Sequence, residues 1–401
     1  MKQKILVMAL SLTAELLLLG CPNPVSEPLK SSNADLSAIT LSTGTLSPDF
    51  AADATAYTVS VPNSTTSITI TVTKSDSNAT VSGDSGVAKT LSEGANTITI
   101  TVTAQDGITE KNYVVTVTRS YDYVSANIGI LKYVPAGRFQ RDATASNISV
   151  ISTAYRMSQH EITRAQFQDI MGTDPSIVGN SSGTNDPVQY VNWYHAIAFC
   201  NKLSIAEGLT PVYAVSGITD WAAFTYANIP TSNNATWNAA TATWSNNGYR
   251  LPTEMEWMWA AMGAPADGQG GGTNTTGYAK SFAGSTGSNE IGSYAVFGYY
   301  GSETERTTTE RSNPVGSKAA NELGFYDMSG NVFEWCWDWF AEYPTGPLTD
   351  YQGAASGSSR ILRGGSWYFN ANLCTVASRS TDDDDPGGQY YFGVGFRVMR
   401  P

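Results

Sequence analysis

The run Asn321-Glu322-Leu323-Gly324-Phe325-Tyr326-Asp327-Met328-Ser329-Gly330-Asn331-Val332-Phe333-Glu334-Trp335 decides how this chain is read. It mixes glycine, aromatic and acidic residues in a pattern that fits a structured loop better than a regular helix. The surroundings have the same character: all 10 tryptophans of the chain fall between Trp193 and Trp367. Glycine, aromatic and loop content with few periodic helices predicts an irregular α+β domain over residues 125–401. Three helices are expected in it. One spans Arg164 to Met171, and a second spans Trp193 to Ala206, with Ala196, Phe199, Cys200 and Leu203 at helical steps. The third opens at Thr253-Glu254-Met255-Glu256, where Thr253 can cap and Glu256 completes a capping box, turning Trp257 and Ala260 to the core.

Other blocks stand in a fixed order around this run. They are Tyr133 to Gly137, Gln159 to Thr163, Pro187 to Trp193, Arg250 to Trp257, Arg363-Gly364-Gly365-Ser366-Trp367 and Gly395-Phe396-Arg397. Together they resemble the formylglycine-generating enzyme (sulfatase-modifying factor) domain, a variant of the C-type lectin fold. The resemblance covers about two-thirds of the chain.

Oxidases of that family hold copper with two cysteines, because soft thiolates suit Cu(I). The resemblance places the first of the pair at Phe369 and the second at Cys374. Phenylalanine cannot ligate a metal, so copper is not expected, and Cys374 is either a small buried residue or, in the enzyme alternative, a reactive thiol. The resemblance also implies a possible calcium site, with the Asp327 and Glu334 side chains and the Gly330 and Val332 carbonyls as hard oxygen donors. The alternative is that Asn331 and Glu334 serve loop backbone groups.

Between Trp367 and Gly395 lies a stretch that makes a poor core. It runs from Tyr368, Phe369, Asn370, Asn372 and Leu373 through Ser378, Ser380 and Thr381 to Asp382, Asp383 and Asp384, then Tyr390, Tyr391 and Phe392. Rigid aromatic area beside adaptable Ser, Asn, Asp and Gly suits a contact surface, against the alternative of a plain polar loop. The layout resembles the variable region of retroelement-diversified lectin-fold proteins, the Treponema variable proteins among them. In those proteins adenines of Asn codons are mutated. Glu, Lys, Met, Gln and Trp are unreachable by changing the first two bases of an Asn codon, and between Tyr368 and Phe392 only Gln389 belongs to that set.

The N-terminus reads as an address. Met1 to Lys4 is basic, Ile5 to Leu19 is apolar apart from Glu15, and Leu18-Leu19-Gly20-Cys21 resembles a bacterial lipobox, making 1–20 a lipoprotein signal peptide and Cys21 the lipidated residue. An ordinary cleaved signal with an incidental cysteine is the alternative. Residues 21–34 read as a tether. Residues 35–120 then alternate apolar residues with threonine, as in Ile68 to Val72 and Ile98 to Val102, and turn signals such as Asp106-Gly107 separate the runs. This stretch resembles cadherin-like or immunoglobulin-like β-sandwiches, which commonly act as spacers.

The net charge of -12, with 14% charged residues and no basic run, excludes nucleic acid as the expected partner. Two histidines, His160 and His195, are too few for histidine-rich metal chemistry. The whole reading is a non-catalytic, lipid-anchored binding protein of the cell surface or periplasm, with the outer membrane as its seat and a protein or glycan as ligand. The alternatives are an oxidase of the formylglycine-generating type and a calcium-dependent structural or glycan-binding lectin.

Overall fold

A computed structural model of the chain describes residues 28–63, 65–264, 272–381 and 392–401. The signal peptide, Cys21, Asp382, Asp383, Asp384, Tyr390 and Tyr391 lie outside the described residues.

The first domain is a sandwich of seven strands. Strands β1 (Leu36–Leu41), β3 (Ser67–Lys74) and β5 (Ala88–Thr90) form one sheet. The other has the order β2 (Ala56–Val61), β7 (Glu110–Arg119), β6 (Gly94–Thr103), β4 (Thr80–Gly83), with β2 and β7 parallel. The period-two pattern sets the core: Ile98, Ile100 and Val102 on β6 and Tyr113, Val115 and Val117 on β7 all point inward. Tyr113 also ties the sheets, because its hydroxyl accepts from the Leu36 N–H at 3.0 Å and donates to the Ala52 carbonyl at 3.2 Å.

The second domain begins with β8 (Tyr123–Ser125) and β9 (Gly129–Val134), and its last strand returns beside its first ones. The sheet order is β8, β9, β12 (Tyr155–Ser158), then the terminal Met399–Arg400. Between β9 and β12, β10 (Gly137–Gln140) and β11 (Ile148–Ile151) form a hairpin. The sheet that carries the site pairs β13 (Phe333–Trp339) with β14 (Arg360–Arg363), flanked by β15 (Ser380–Thr381) and β16 (Val394–Gly395).

All three expected helices form, each started by a capping box. Thr163 and Gln166 open α1 (Arg164–Met171), which Gly172 ends in the left-handed region. Asn192 and His195 open α2 (Trp193–Ala206), and Thr253 and Glu256 open α3 (Glu254–Ala261). His195 is therefore a structural residue: its Nδ1 accepts from the Asn192 N–H at 3.2 Å, and burial pushes its pKa down to about 3. The four apolar steps read on α2 understate its burial. Trp193 through Asn201 are all buried, because Val212, Tyr213, Trp221, Ile229 and Trp237 cover its outer side and join the same core.

One ion pair sits at the centre of this domain. Glu334 and Arg397 are both 0% exposed and bond in parallel, Nε to Oε2 at 2.6 Å and Nη2 to Oε1 at 2.7 Å. Trp257 Nε1 donates to the same carboxylate at 2.7 Å, and Arg397 donates onward to the Ser158 and Tyr326 carbonyls. The pair thus joins β13, α3, β12 and the C-terminal segment. Removing one partner leaves a buried charge with no counterion. Arg397→Met is expected to destabilise the domain by about 3–5 kcal/mol in urea unfolding, and a loss under about 1 kcal/mol would contradict this role.

Candidate functional site: a cavity built on the Gly-Gly-Ser-Trp turn

Backbone pairing positions the site. Gly364 and Gly365 have φ of +91° and +77°, and a Cβ on Gly365 would lie 2.5 Å from Cys374 Sγ. Only glycine suits this turn. Gly330 N–H donates to Gly364 O at 2.8 Å, and Trp367 N–H donates to Asn331 O at 2.9 Å, which fastens the turn to the Asn321–Trp335 loop. The chain then pairs with a second loop: Gly298 N–H donates to Phe369 O at 2.7 Å, and Tyr299 N–H to Trp367 O at 2.9 Å. Phe333 N–H donates to Gly393 O at 2.7 Å, which brings Phe392 to the same place.

These contacts enclose a cavity of about 370 Å³. Of the residues read from sequence as ligand-binding, Tyr368, Phe369, Ser380, Thr381 and Phe392 line it. The scaffold adds Phe333, Leu362, Ser366, Gly393 and Val394. The rings touch one another, with centroids 5.6 Å apart for Phe333 and Phe369, 5.2 Å for Tyr368 and Phe369, and 5.0 Å for Tyr368 and Phe392. Trp367 is fully buried behind Phe392, its indole N–H without a partner among the described residues.

Four of the other residues read as ligand-binding stand elsewhere. Asn370 precedes the short turn Ala371–Leu373, and Asn372 lines a separate cavity of about 260 Å³ with Phe282 and Ile291. Leu373 packs against the main core, and the Ser378 carbonyl accepts from Arg363 at 2.5 Å. The sequence reading missed Tyr299 and Tyr300. Tyr300 is 65% exposed, and its ring lies 4.3 Å from Tyr368, so the aromatic surface continues out of the cavity. An aromatic pair ahead of Gly301 in a polar stretch was the signal available.

Glu334 does not fit the possible calcium site, while Asp327 keeps a buried Oδ1 without a partner among the described residues. Glu334 has both oxygens on Arg397 and Trp257, and a cation sharing that carboxylate would meet the guanidinium. Asp327 accepts from Gly316 N–H at 2.7 Å, and burial pushes its pKa up to about 6. Glu161, which takes the Val332 N–H and the Asn331 side chain, is pushed well up by burial and by the nearby Asp327 and Glu334. Among the described residues, no group of three or more His, Cys, Asp or Glu is placed to hold a metal.

Copper does not fit either. Cys374 is buried with Ala295 and Phe297, and burial pushes its thiol up to about 12. Cys200 and Cys336 lie in two other core clusters, so neither supplies a second thiolate.

The comparisons agree with this architecture. The sulfatase-modifying factor enzyme 1-like domain family matches residues 126–401, and the cadherin-like beta sandwich domain family matches residues 36–120. The chain therefore belongs to the sulfatase-modifying factor enzyme 1-like family, with a cadherin-like sandwich ahead of that domain. It is 32% identical over 278 residues to the chaperone protein LppX of Paenibacillus barcinonensis, covering 67% of this chain and 89% of that protein. It is 32% identical over 173 residues to the formylglycine-generating enzyme of Streptomyces coelicolor, covering 41% of this chain and half of that enzyme. Among solved structures, Treponema denticola variable protein 1 matches with 36% identity and a TM-score of 0.59, over 70% of this chain and 99% of that one.

Two outcomes follow from these placements. Cys200, Cys336 and Cys374, all buried, should be labelled by a thiol reagent only when urea unfolds the chain, as read by peptide mass spectrometry. The melting temperature should be the same in calcium and in chelator, and a calcium-dependent rise would restore the ion to this loop.

Proposed function

We propose that this chain is a non-catalytic binding protein, anchored by a lipid on Cys21, which uses the lectin-fold domain to present a ligand site on its sandwich. The observation that carries this reading is the cavity itself. Five side chains from the stretch 368–392, Tyr368, Phe369, Ser380, Thr381 and Phe392, meet over a scaffold floor of Phe333, Leu362 and Val394. Aromatic area with a few hydroxyls is the composition of a binding pocket. Among the described residues no carboxylate, histidine, lysine or cysteine lines it to activate the Ser and Thr hydroxyls, and the nearby Cys374 thiol is buried.

Diversification of residues 368–392 is part of the proposal and is supported by the likeness to the Treponema denticola variable protein. A variable protein needs a site whose side chains can change without loss of the fold. The lining side chains fit that need, since the domain's buried ion pair lies outside them. Lipid anchoring rests on the Leu18-Leu19-Gly20-Cys21 sequence, and no helix among the described residues is long and apolar enough to cross a membrane. The signal sequence supports a seat at the cell surface or in the periplasm, and the acidic charge supports a protein or glycan partner rather than nucleic acid.

The test is a screen of the mature protein on arrays of purified surface proteins and glycans, beside Tyr368→Ala and Phe392→Ala. The expected result is a set of hits reduced at least about tenfold in both variants, in line with loss of a central aromatic contact. Hits that survive both substitutions would remove the cavity from the function. Oxygen uptake with a cysteine-containing peptide, abolished by Cys374→Ala, would replace the binding reading with the oxidase.

A further inference from the structure

Several aromatic rings of this domain outside the cavity carry one of the chain's own cations. Arg360 lies 3.7 Å from the Trp193 ring centroid and 3.5 Å from that of Trp339, and Arg379 lies 3.9 Å from Tyr343. Arg250 stands over Trp244, Arg363 over Trp257 and Arg400 over Tyr123. Among the described residues, no lysine or arginine stands over Phe333, Tyr368, Phe369 or Phe392, and no basic side chain lines the cavity. The sequence between Thr381 and Phe392 contains four aspartates and neither lysine nor arginine.

The adjoining loop has the same bias. Glu303 accepts the Ala371 N–H at 3.0 Å through Oε1, and its Oε2 is buried without a partner among the described residues. That oxygen would lie 2.6 Å from a Cβ placed on Gly301, next to the exposed Tyr300. Tyr299 donates to Glu310 at 3.3 Å. Arg306 turns its guanidinium onto the Tyr299 and Thr307 carbonyls, and Arg311 follows Glu310.

We infer that the cavity takes a cationic side chain, lysine or arginine, of a protein partner, with Tyr300 as a fixed ring at its mouth. This rests on the binding reading above and names the chemical class of its ligand. Ring faces are electron-rich, and a cation within about 6 Å of a centroid is attracted to them, more strongly where water is excluded. The hydroxyls of Ser366, Ser380 and Thr381 can accept the N–H bonds that such a group must keep on leaving water. The chain's net charge of -12 favours the approach of a basic partner.

The probes are n-butylguanidinium, n-butylammonium and 1-butanol, which share an apolar stem and differ in charge. Their binding to the mature protein is followed by protein NMR, which maps the shifts. The expected result is shifts at the cavity with either cation bound roughly three- to tenfold more tightly than the alcohol. Phe392→Leu, which keeps apolar volume and removes a ring face, is expected to weaken either cation at least about twofold more than it weakens 1-butanol. Equal binding of cations and alcohol at the cavity would overturn the cationic assignment and leave the binding reading in place. Binding of the alcohol alone would overturn it in the same way. No cavity shifts with any probe would overturn the assignment and also remove the cavity from the binding reading.

Discussion

The fold of the second domain depends on the parallel pair between Glu334 and Arg397. Both groups are wholly buried, so neither can be solvated by water, and each is compensated only by the other and by fixed donors and acceptors around them. The carboxylate takes Trp257 from α3, and the guanidinium reaches carbonyls at Ser158 and Tyr326. Glu161 and Asn331 continue the network into the loop that fastens the Gly364-Gly365 turn. Geometry at the cavity therefore follows from a charge pair that is no part of its wall.

Two thiolates make a copper centre in the oxidases that the sequence resembles, and here Phe369 takes one of those places, its ring packed on Phe333 and Tyr368. Cys374 is left as a buried thiol beneath the turn, where its sulfur occupies the space that a side chain on Gly365 would need. Phe369 is thus part of an aromatic wall.

Much of this was legible in the sequence, for identifiable reasons. The third helix announces itself through its cap Thr253, while the first two are legible from apolar spacing and prove to have local caps as well, Thr163 and Asn192. The sandwich is legible because each strand carries its own alternation. Burial of α2 on most of its faces was not, since its cover comes from residues 212–237, which have no period of their own. The role of Glu334 was hidden for the same reason. Its spacing from Asp327 and Gly330 fits a hard-cation loop, whereas its partner Arg397 lies 63 residues away. Tyr368, Phe369 and Phe392 could be read as contact residues from composition, while Tyr300 reaches them only through backbone pairing between two distant loops.

The central claim is that the binding surface and the fold are separable, and it can be measured directly. A library that varies Tyr368, Phe369, Ser380, Thr381 and Phe392 together, within the residues reachable from an Asn codon, would be sorted for folded protein by protease resistance. The account predicts that most members resist as the parent does and unfold cooperatively within a few degrees of it. If most members lost protease resistance, the cavity walls would be part of what holds the domain together, and a site diversified on a fixed scaffold would be contradicted.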